Sequence, residues 1–195
     1  HPCLTPHPRP GDTADQMPVL AIDQGTSSTK ALVVDDDTTI LAEHEVAVHP
    51  RALDGGGVEQ DPEELWRSVV DAGTAALASA GVSVDAVALA NQGETVVAWD
   101  RATGKPLAPA LVWQDRRAAS ICDRLAADGW GERLAAITGL ELDPYFVAPK
   151  IAWLREHVTG EGTITTTDTW LLHRLCGAYV TGAATASRAL LLDLH

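Results

Sequence analysis

Asp23-Gln24-Gly25-Thr26-Ser27-Ser28-Thr29-Lys30 gathers a carboxylate, a glycine, four hydroxyls and an amine into one short stretch. Those groups suit phosphate chemistry. Gly25 lets the backbone approach a ligand closely. Successive N–H groups and the hydroxyls of Thr26, Ser27 and Ser28 can donate to phosphate oxygens, as in an anion nest. Lys30 adds a point charge. Asp23 can face a phosphate only through Mg²⁺, because two bare anions repel. A plainer reading of the same residues is an ordinary turn in contact with solvent. The stretch is not a P-loop: G-x-x-x-x-G-K-[ST] has no match, and the nearest fragment, Thr103-Gly104-Lys105-Pro106, reads as a turn.

Two apolar runs, residues 19–22 and 31–34, hold this stretch between them. Each has the length of a buried strand, and two strands joined by a Gly-containing turn predict a hairpin. Residues 39–48 mix β-branched and polar side chains and predict a third strand. Asp35-Asp36-Asp37 reads most simply as the turn before it, with a triple-aspartate metal site as the lesser alternative. Residues 50–57 form a loop around Gly55-Gly56-Gly57.

Asp61-Pro62-Glu63-Glu64 is a helix start. Asp61 caps, Pro62 takes the first helical position, and Glu64 stands where a capping-box acid belongs. Leu65, Val69, Ala72, Ala76 and Ala80 then mark one helical face, and Gly81 ends it. Residues 84–90 predict a buried strand. Asn91-Gln92-Gly93-Glu94 interrupts the apolar pattern and residues 95–99 resume it. A short strand over 111–113 leads into Gln114-Asp115-Arg116-Arg117. Helices are predicted over 118–127, over 149–157, and from a capping Asp168 to Cys176, with Gly129 closing the first and Gly177 the last. Residues 184–192 are apolar and have no assigned state. Three strands followed by alternating helices and strands make an α/β chain with a mixed sheet and helices on it.

The 195 residues suit one domain, and their net charge of −13 makes nucleic acid and anionic membrane surfaces poor partners. No apolar run approaches the ~20 residues of a membrane span. Cys3, Cys122 and Cys176 lack metal or disulfide spacing, which suits a reducing, cytoplasmic setting. Residues 1–16, with four prolines and both His1 and His7, are expected to be a disordered tail. Met17, the sole methionine, is the expected natural start.

One after another, these segments resemble the motifs of the FGGY carbohydrate kinases, most of all the glycerol kinases among them. Residues 23–30 resemble the family's phosphate loop. Val58-Glu59-Gln60-Asp61-Pro62-Glu63-Glu64-Leu65-Trp66 resembles its helix start, and Asn91-Gln92-Gly93-Glu94-Thr95 its substrate loop. Val112-Trp113-Gln114-Asp115-Arg116-Arg117 is similar to another motif. Leu142-Asp143-Pro144-Tyr145-Phe146 and Lys150-Ile151-Ala152-Trp153-Leu154 resemble the stretch carrying the substrate tyrosine. Asp168-Thr169-Trp170-Leu171-Leu172 and Ala186-Ser187-Arg188 match late motifs of the first domain. The matches come in the family's order across residues 17–195.

The resemblance implies an actin-like, ribonuclease-H-like ATPase domain, with residues 17–195 as its N-terminal kinase domain. It implies ATP-dependent phosphoryl transfer to a polyol or sugar hydroxyl, with ATP and Mg²⁺ as cofactors. Asp23 matches an acid near the metal. Gly25, Thr26, Ser27, Ser28 and Lys30 match phosphate-binding positions. Thr26, Glu94 and Tyr145 match substrate-binding positions of the glycerol kinases, and Gly93 stands where those kinases have a substrate-binding arginine. The general base and the second wall of the ATP site belong to the family's C-terminal domain, which this chain lacks, so the chain alone is expected to be inactive. The resemblance also admits a homo-oligomer.

Each role has a bland counterpart. Glu94 could be a surface turn residue, and Tyr145 could be core packing. Trp99 and Trp113 read as core. Arg116 and Arg117 read as a salt-bridged helix start, although either could fill the space beside Gly93. Thr181-Gly182 replaces the family's usual Thr-Asp, which is expected to loosen a turn. Two other functions compete with the kinase reading: a nucleotide switch of actin or chaperone type, and a non-catalytic remnant that binds a sugar or a partner. The segments around Glu94 and Tyr145 argue against a switch, which needs no polyol pocket.

Overall fold

The computed structural model describes residues 17–195, so the expected tail at 1–16 lies outside the described residues. In chain order the elements are β1 (Val19–Gln24), β2 (Ser28–Val34), β3 (Ile40–Ala47), β4 (Arg51–Ala52), β5 (Val58–Gln60), α1 (Pro62–Ala80), β6 (Ala86–Asn91), β7 (Val96–Trp99), β8 (Ala110–Leu111), α2 (Ala119–Ala127), α3 (Trp130–Thr138), α4 (Val147–His157), β9 (Thr163–Thr166), α5 (Thr167–Cys176) and α6 (Ala183–Ser187). They divide into two compact units. One runs to Val48 and includes Arg67–Ala90; the other comprises His49–Trp66 and Asn91–His195.

The first unit carries a sheet of order β3-β2-β1-β6. β1, β2 and β3 pair antiparallel. Just before β1 and β6, the Asp85 N–H donates to the Pro18 carbonyl at 3.0 Å, so these two strands start side by side and run parallel. The sheet is therefore mixed, as expected for a strand reached through a helical crossover. Side chains alternate across it. Leu20, Ile22 and Gln24 of β1 and Thr29, Ala31 and Val33 of β2 are buried, and Asp23 and Lys30 take the other face. On the buried face Thr29 shares a 2.6 Å hydrogen bond with Ser68 of α1.

Both hairpin strands reach further into the polar stretch than the apolar runs predict, because ladder hydrogen bonds are made by the backbone whatever the side chain. Only residues 25–27 remain as the turn. β6 departs from expectation in another way: its residues are exposed or half-exposed, with Val87 56% exposed. Its apolar composition suits burial, but it is the edge strand of this sheet. Asp35-Asp36-Asp37 is the turn it was read to be. Asp35 Oδ1 accepts from the Asp36 N–H, and Asp37 Oδ1 accepts from the Thr39 N–H.

The second unit holds an antiparallel sheet of order β4-β5-β8-β7-β9. Val96, Ala98 and Leu111 of its strands pack with Val147 and Leu154 of α4 and with Ala189. Trp99 and Trp170 are wholly buried and keep their indole N–H groups satisfied, on Thr165 Oγ1 and the Gly104 carbonyl, each at 3.0 Å. Strands β4, β5 and β9 and helix α3 were not expected. The strands are two to four residues long and lack an apolar alternation; they exist because a partner strand pairs with them.

Two helix starts also differ from expectation. Asp61 Oδ1 does cap α1, accepting from the Glu63 N–H at 2.9 Å. Glu64, however, turns away from the capping box and binds His49 Nδ1 at 2.6 Å. Asp168 lies inside the first turn of α5 rather than ahead of it. Its carboxylate accepts from the hydroxyls of Thr166 and Thr181 and from the Gly182 N–H. The 181–182 turn is thus held through the main chain of residue 182, and a glycine there does not release it.

Candidate active site

The phosphate candidates sit at the tip of the β1–β2 hairpin. The Gly25 N–H donates to the Ser28 carbonyl at 2.9 Å, closing the turn. A β-carbon on residue 25 would lie 2.9 Å from that same oxygen, closer than real contacts allow. Glycine is required by this close approach. The Ser27 carbonyl accepts from the Val48 N–H at 2.9 Å, which fixes the tip from the other side. Ser27 is exposed, and Gly25, Thr26 and Ser28 are half-buried, so these four form the accessible rim.

Asp23 and Lys30 are partners in the strand register and share the exposed face of the hairpin. Lys30 Nζ lies 2.9 Å from Glu43 and 4.0 Å from Glu45, both on β3. The hydrogen bond to Glu43, with the charges of Glu43 and Glu45 behind it, raises the Lys30 pKa. Its amine is thus turned along the sheet toward β3. Asp23 is exposed. Among the described residues no three His, Cys, Asp or Glu side chains group closely enough to cage a metal. A lone carboxylate beside a hydroxyl-rich turn still fits Mg²⁺, which is commonly held by one or two carboxylates together with substrate phosphates.

The substrate candidates lie in the second unit. The loop between β6 and β7 is tied down at nearly every residue. Asn91 Nδ2 donates to Thr167 Oγ1 at 2.9 Å, and Asn91 Oδ1 accepts from Thr185 Oγ1 at 3.1 Å. Gln92 Nε2 donates to Gln60 Oε1 at 2.9 Å, and Gln92 Oε1 accepts from Thr95 Oγ1 at 3.0 Å. Glu94 is thereby presented from a rigid base and is 7% exposed. Its carboxylate accepts from Arg188 Nε at 2.7 Å. Glu94 is therefore no loose surface turn residue. Gly93 beside it is open: a β-carbon built there meets nothing within 4 Å.

Tyr145 is half-buried on the turn before α4. Trp113 stands edge-on to its ring at 5.6 Å, and Phe146 edge-on at 5.3 Å. The Arg188 guanidinium lies 5.6 Å from the Tyr145 ring centre and 5.0 Å from that of Phe146. Beneath the turn, the wholly buried Lys150 donates to the carbonyls of Pro144, at 2.9 Å, and of Tyr145 and Phe146. Burial pushes its pKa down to about 8, against the pull of Asp115, Glu94 and Asp143.

Arg188 brings Glu94 and Tyr145 together, although they are far apart in the chain. Sequence reasoning marked Ala186-Ser187-Arg188 as a motif and gave Arg188 no role. It also missed Lys150 as the support of the tyrosine turn, and read Trp113 as core although that ring is half-buried against Tyr145. Arg116 and Arg117 do not fill the space at Gly93. Arg117 is bound to Asp115 at 2.7 Å and Glu59 at 2.9 Å, and its guanidinium lies over the Trp153 ring. Arg116 is exposed and faces Asp143 at 3.6 Å. The pair is salt-bridged as expected, but α2 starts two residues later, capped by no side chain.

A rigid carboxylate, a guanidinium and an aromatic ring can grip vicinal hydroxyls, and a hydroxyl-lined hairpin can hold phosphate. The profile described as "FGGY family of carbohydrate kinases, N-terminal domain" matches residues 18–195. The chain belongs to the FGGY carbohydrate kinase family. It is 46% identical over 192 residues to the glycerol kinase of Methylobacterium nodulans and 43% over 190 residues to that of Aromatoleum aromaticum, each match covering 91% of this chain. The chain spans 38% of the length of these relatives. Among solved structures, Plasmodium falciparum glycerol kinase with ADP superposes with a TM-score of 0.85 at 32% identity, over 92% of this chain and 38% of that one. The α/β architecture, with its mixed sheet and flanking helices, is the actin-like, ribonuclease-H-like ATPase fold of these FGGY kinases. No helix among the described residues is long and apolar enough to cross a membrane.

Proposed function

We propose that this chain is the substrate-gripping N-terminal part of an ATP-dependent kinase acting on a polyol or sugar hydroxyl. Gly25, Thr26, Ser27 and Ser28 hold the nucleotide phosphates, with Lys30 swinging from Glu43 to join them. Asp23 orients Mg²⁺, which when bound neutralises phosphate charge. Glu94 accepts hydrogen bonds from substrate hydroxyls, and Tyr145 packs on the C–H face. Thr26 keeps the substrate-binding role that the resemblance to the glycerol kinases implies for its position. The general base and the second wall of the nucleotide site come from the remaining length that the relatives have. Residues 17–195 alone accordingly have no turnover.

The observation that carries this reading is the rigid, buried Glu94 beside an open Gly93 and an aromatic wall at Tyr145. A nucleotide switch has no use for that arrangement. The test is ATP consumption by the intact protein against a panel of glycerol, erythritol, xylitol, ribitol and xylulose, run beside the 195-residue chain. Turnover by the intact protein and none by the chain is expected. Turnover by the purified chain, free of contaminating kinase, would place a base within it. No turnover of any panel member by the intact protein would favour a binding remnant.

A further inference from the structure

We propose that Arg188 is a specificity-determining residue of the polyol site, its guanidinium donating to a substrate hydroxyl next to the one that Glu94 accepts from. The proposal rests on the kinase reading above and names the basic group of its substrate site.

Four observations lead to it. First, Arg188 touches both expected substrate residues. Nε is bonded to Glu94, and the group lies against the rings of Tyr145 and Phe146. The bond to Glu94 raises its pKa, outweighing a smaller desolvation, and a bond to the Tyr145 side chain adds to the rise; a guanidinium is in any case always charged. Second, its side chain is 44% exposed. A guanidinium carries five N–H donors in a planar fork, and the fork extends past the one that Glu94 takes.

Third, its backbone is locked. The Arg188 N–H caps α6 on the Thr185 carbonyl at 3.1 Å, and Thr185 itself bonds Asn91 in the Glu94 loop. The next residue, Ala189, is buried, and its carbonyl accepts from the Ala148 N–H at 2.9 Å at the start of α4. Leu190 then turns the chain back with a φ of 61°. The three segments bearing Glu94, Tyr145 and Arg188 are thus cross-linked by hydrogen bonds that fix the geometry of the trio. Fourth, the other basic groups nearby are committed. Arg117 belongs to Asp115 and Glu59, Arg116 faces Asp143, and Lys150 is buried under three carbonyls. An acceptor at Glu94 and a fork beside it match a vicinal diol, one hydroxyl on each. That pairing makes a sugar alcohol or ketose terminus the ligand class, and disfavours substrates without adjacent hydroxyls.

The test uses the intact kinase with ATP and the polyol it turns over best. Arg188→Ala is expected to raise the polyol KM ten- to a hundredfold and to leave the ATP KM within twofold. Arg188→Lys should recover only part of the loss, because an ammonium is a point charge without the fork. Gly93→Arg placed on Arg188→Ala should restore binding of glycerol, by supplying a guanidinium from the other side. A polyol KM within twofold of the parent in Arg188→Ala would overturn the proposal and leave the kinase reading intact. So would polyol and ATP KM rising together with a falling melting temperature, the mark of a merely structural ion pair. Absence of turnover with every polyol and sugar tried in the parent protein would overturn both.

Discussion

Lys150 has no exposed surface, and its ammonium lies directly beneath the carbonyl of Tyr145. A charge is costly to bury unless hydrogen bonds satisfy it, and here three carbonyls of a single turn do so. The amine therefore sets the height and tilt of the tyrosine ring. Lys150→Met leaves those carbonyls without their donor. In the intact kinase it should raise the polyol KM roughly tenfold or more, since an unmet buried polar group costs about 1–3 kcal/mol. The ATP KM should stay near that of the parent. Equal changes in both constants would mean that Lys150 serves only the fold.

The same residue predicts opposed pH trends. Burial holds its folded pKa at about 8, below the unfolded 10.5, against Asp115, Glu94, Asp143 and Cys122 around it. Between those values the unfolded chain binds more protons, so the contribution of Lys150 to stability rises with pH across that window. Relative to Lys150→Met, the parent should gain up to roughly 3 kcal/mol from pH 8 to 10.5. Over the same range the turn loses a charged donor, and the polyol KM of the parent should climb while that of Lys150→Met stays flat. Denaturant unfolding of both proteins at several pH values, with parallel KM profiles, checks the two slopes. Parallel stability curves would show that Lys150 titrates normally.

How much of this was legible beforehand depended on the kind of signal. Helix α1 could be placed to the residue because a cap, a proline, an apolar stripe and a glycine all agreed. β9 could not, since Thr163-Ile164-Thr165-Thr166 has no alternation and is strand only because β7 pairs with it. In the site, Glu94 and Tyr145 stood out through motif position. Arg188 did not, because its meaning comes from a contact between residues 94 positions apart. Glu64 misled for a related reason: its local capping role lost to His49, which local sequence does not bring near.

Gly25 should tolerate no side chain. A methyl group there would press on the Ser28 carbonyl at 2.9 Å, the acceptor that closes the turn. Gly25→Ala is expected to destabilise the protein by about 1–3 kcal/mol, the usual range for overpacking a rigid site. The ATP KM of the intact kinase should rise and the polyol KM hold. A thermal shift under one degree with unchanged ATP KM would show that the turn is more pliant than its geometry.

Asp23 has a different part. It is exposed, lies opposite Lys30 in the ladder, and is the one carboxylate of the hairpin stretch. Its removal should leave the fold intact. Asp23→Ala should lower kcat roughly 10- to 100-fold, the effect typical of losing a group that orients a metal or its ligands. Raised Mg²⁺ should restore part of the rate, and the polyol KM should barely move. A kcat equal to that of the parent would remove Asp23 from the metal.

Substrate size follows from Gly93. The resemblance to the glycerol kinases implies a substrate-binding arginine at that position in them, and in this chain the position opens on space, with nothing within 4 Å of where a side chain would start. Losing a charged donor to a hydroxyl costs about 1.5–3 kcal/mol, or roughly ten- to more than a hundredfold in binding. Glycerol has few other contacts to offset such a loss. Arg188 offsets it only in part, because it approaches from the end of α6 and already spends donors on Glu94 and Tyr145. A four- or five-carbon polyol or a ketose can occupy the vacated volume and meet the fork of Arg188 with one hydroxyl and Glu94 with the next. The intact enzyme should therefore show a higher kcat/KM for erythritol, xylitol, ribitol or xylulose than for glycerol. Gly93→Arg should reverse the order, raising glycerol at least tenfold and crowding out the longer chains. Glycerol as the best substrate of the parent, with no gain from Gly93→Arg, would show that Arg188 alone serves as the donor and that the open space at Gly93 has no part in selection.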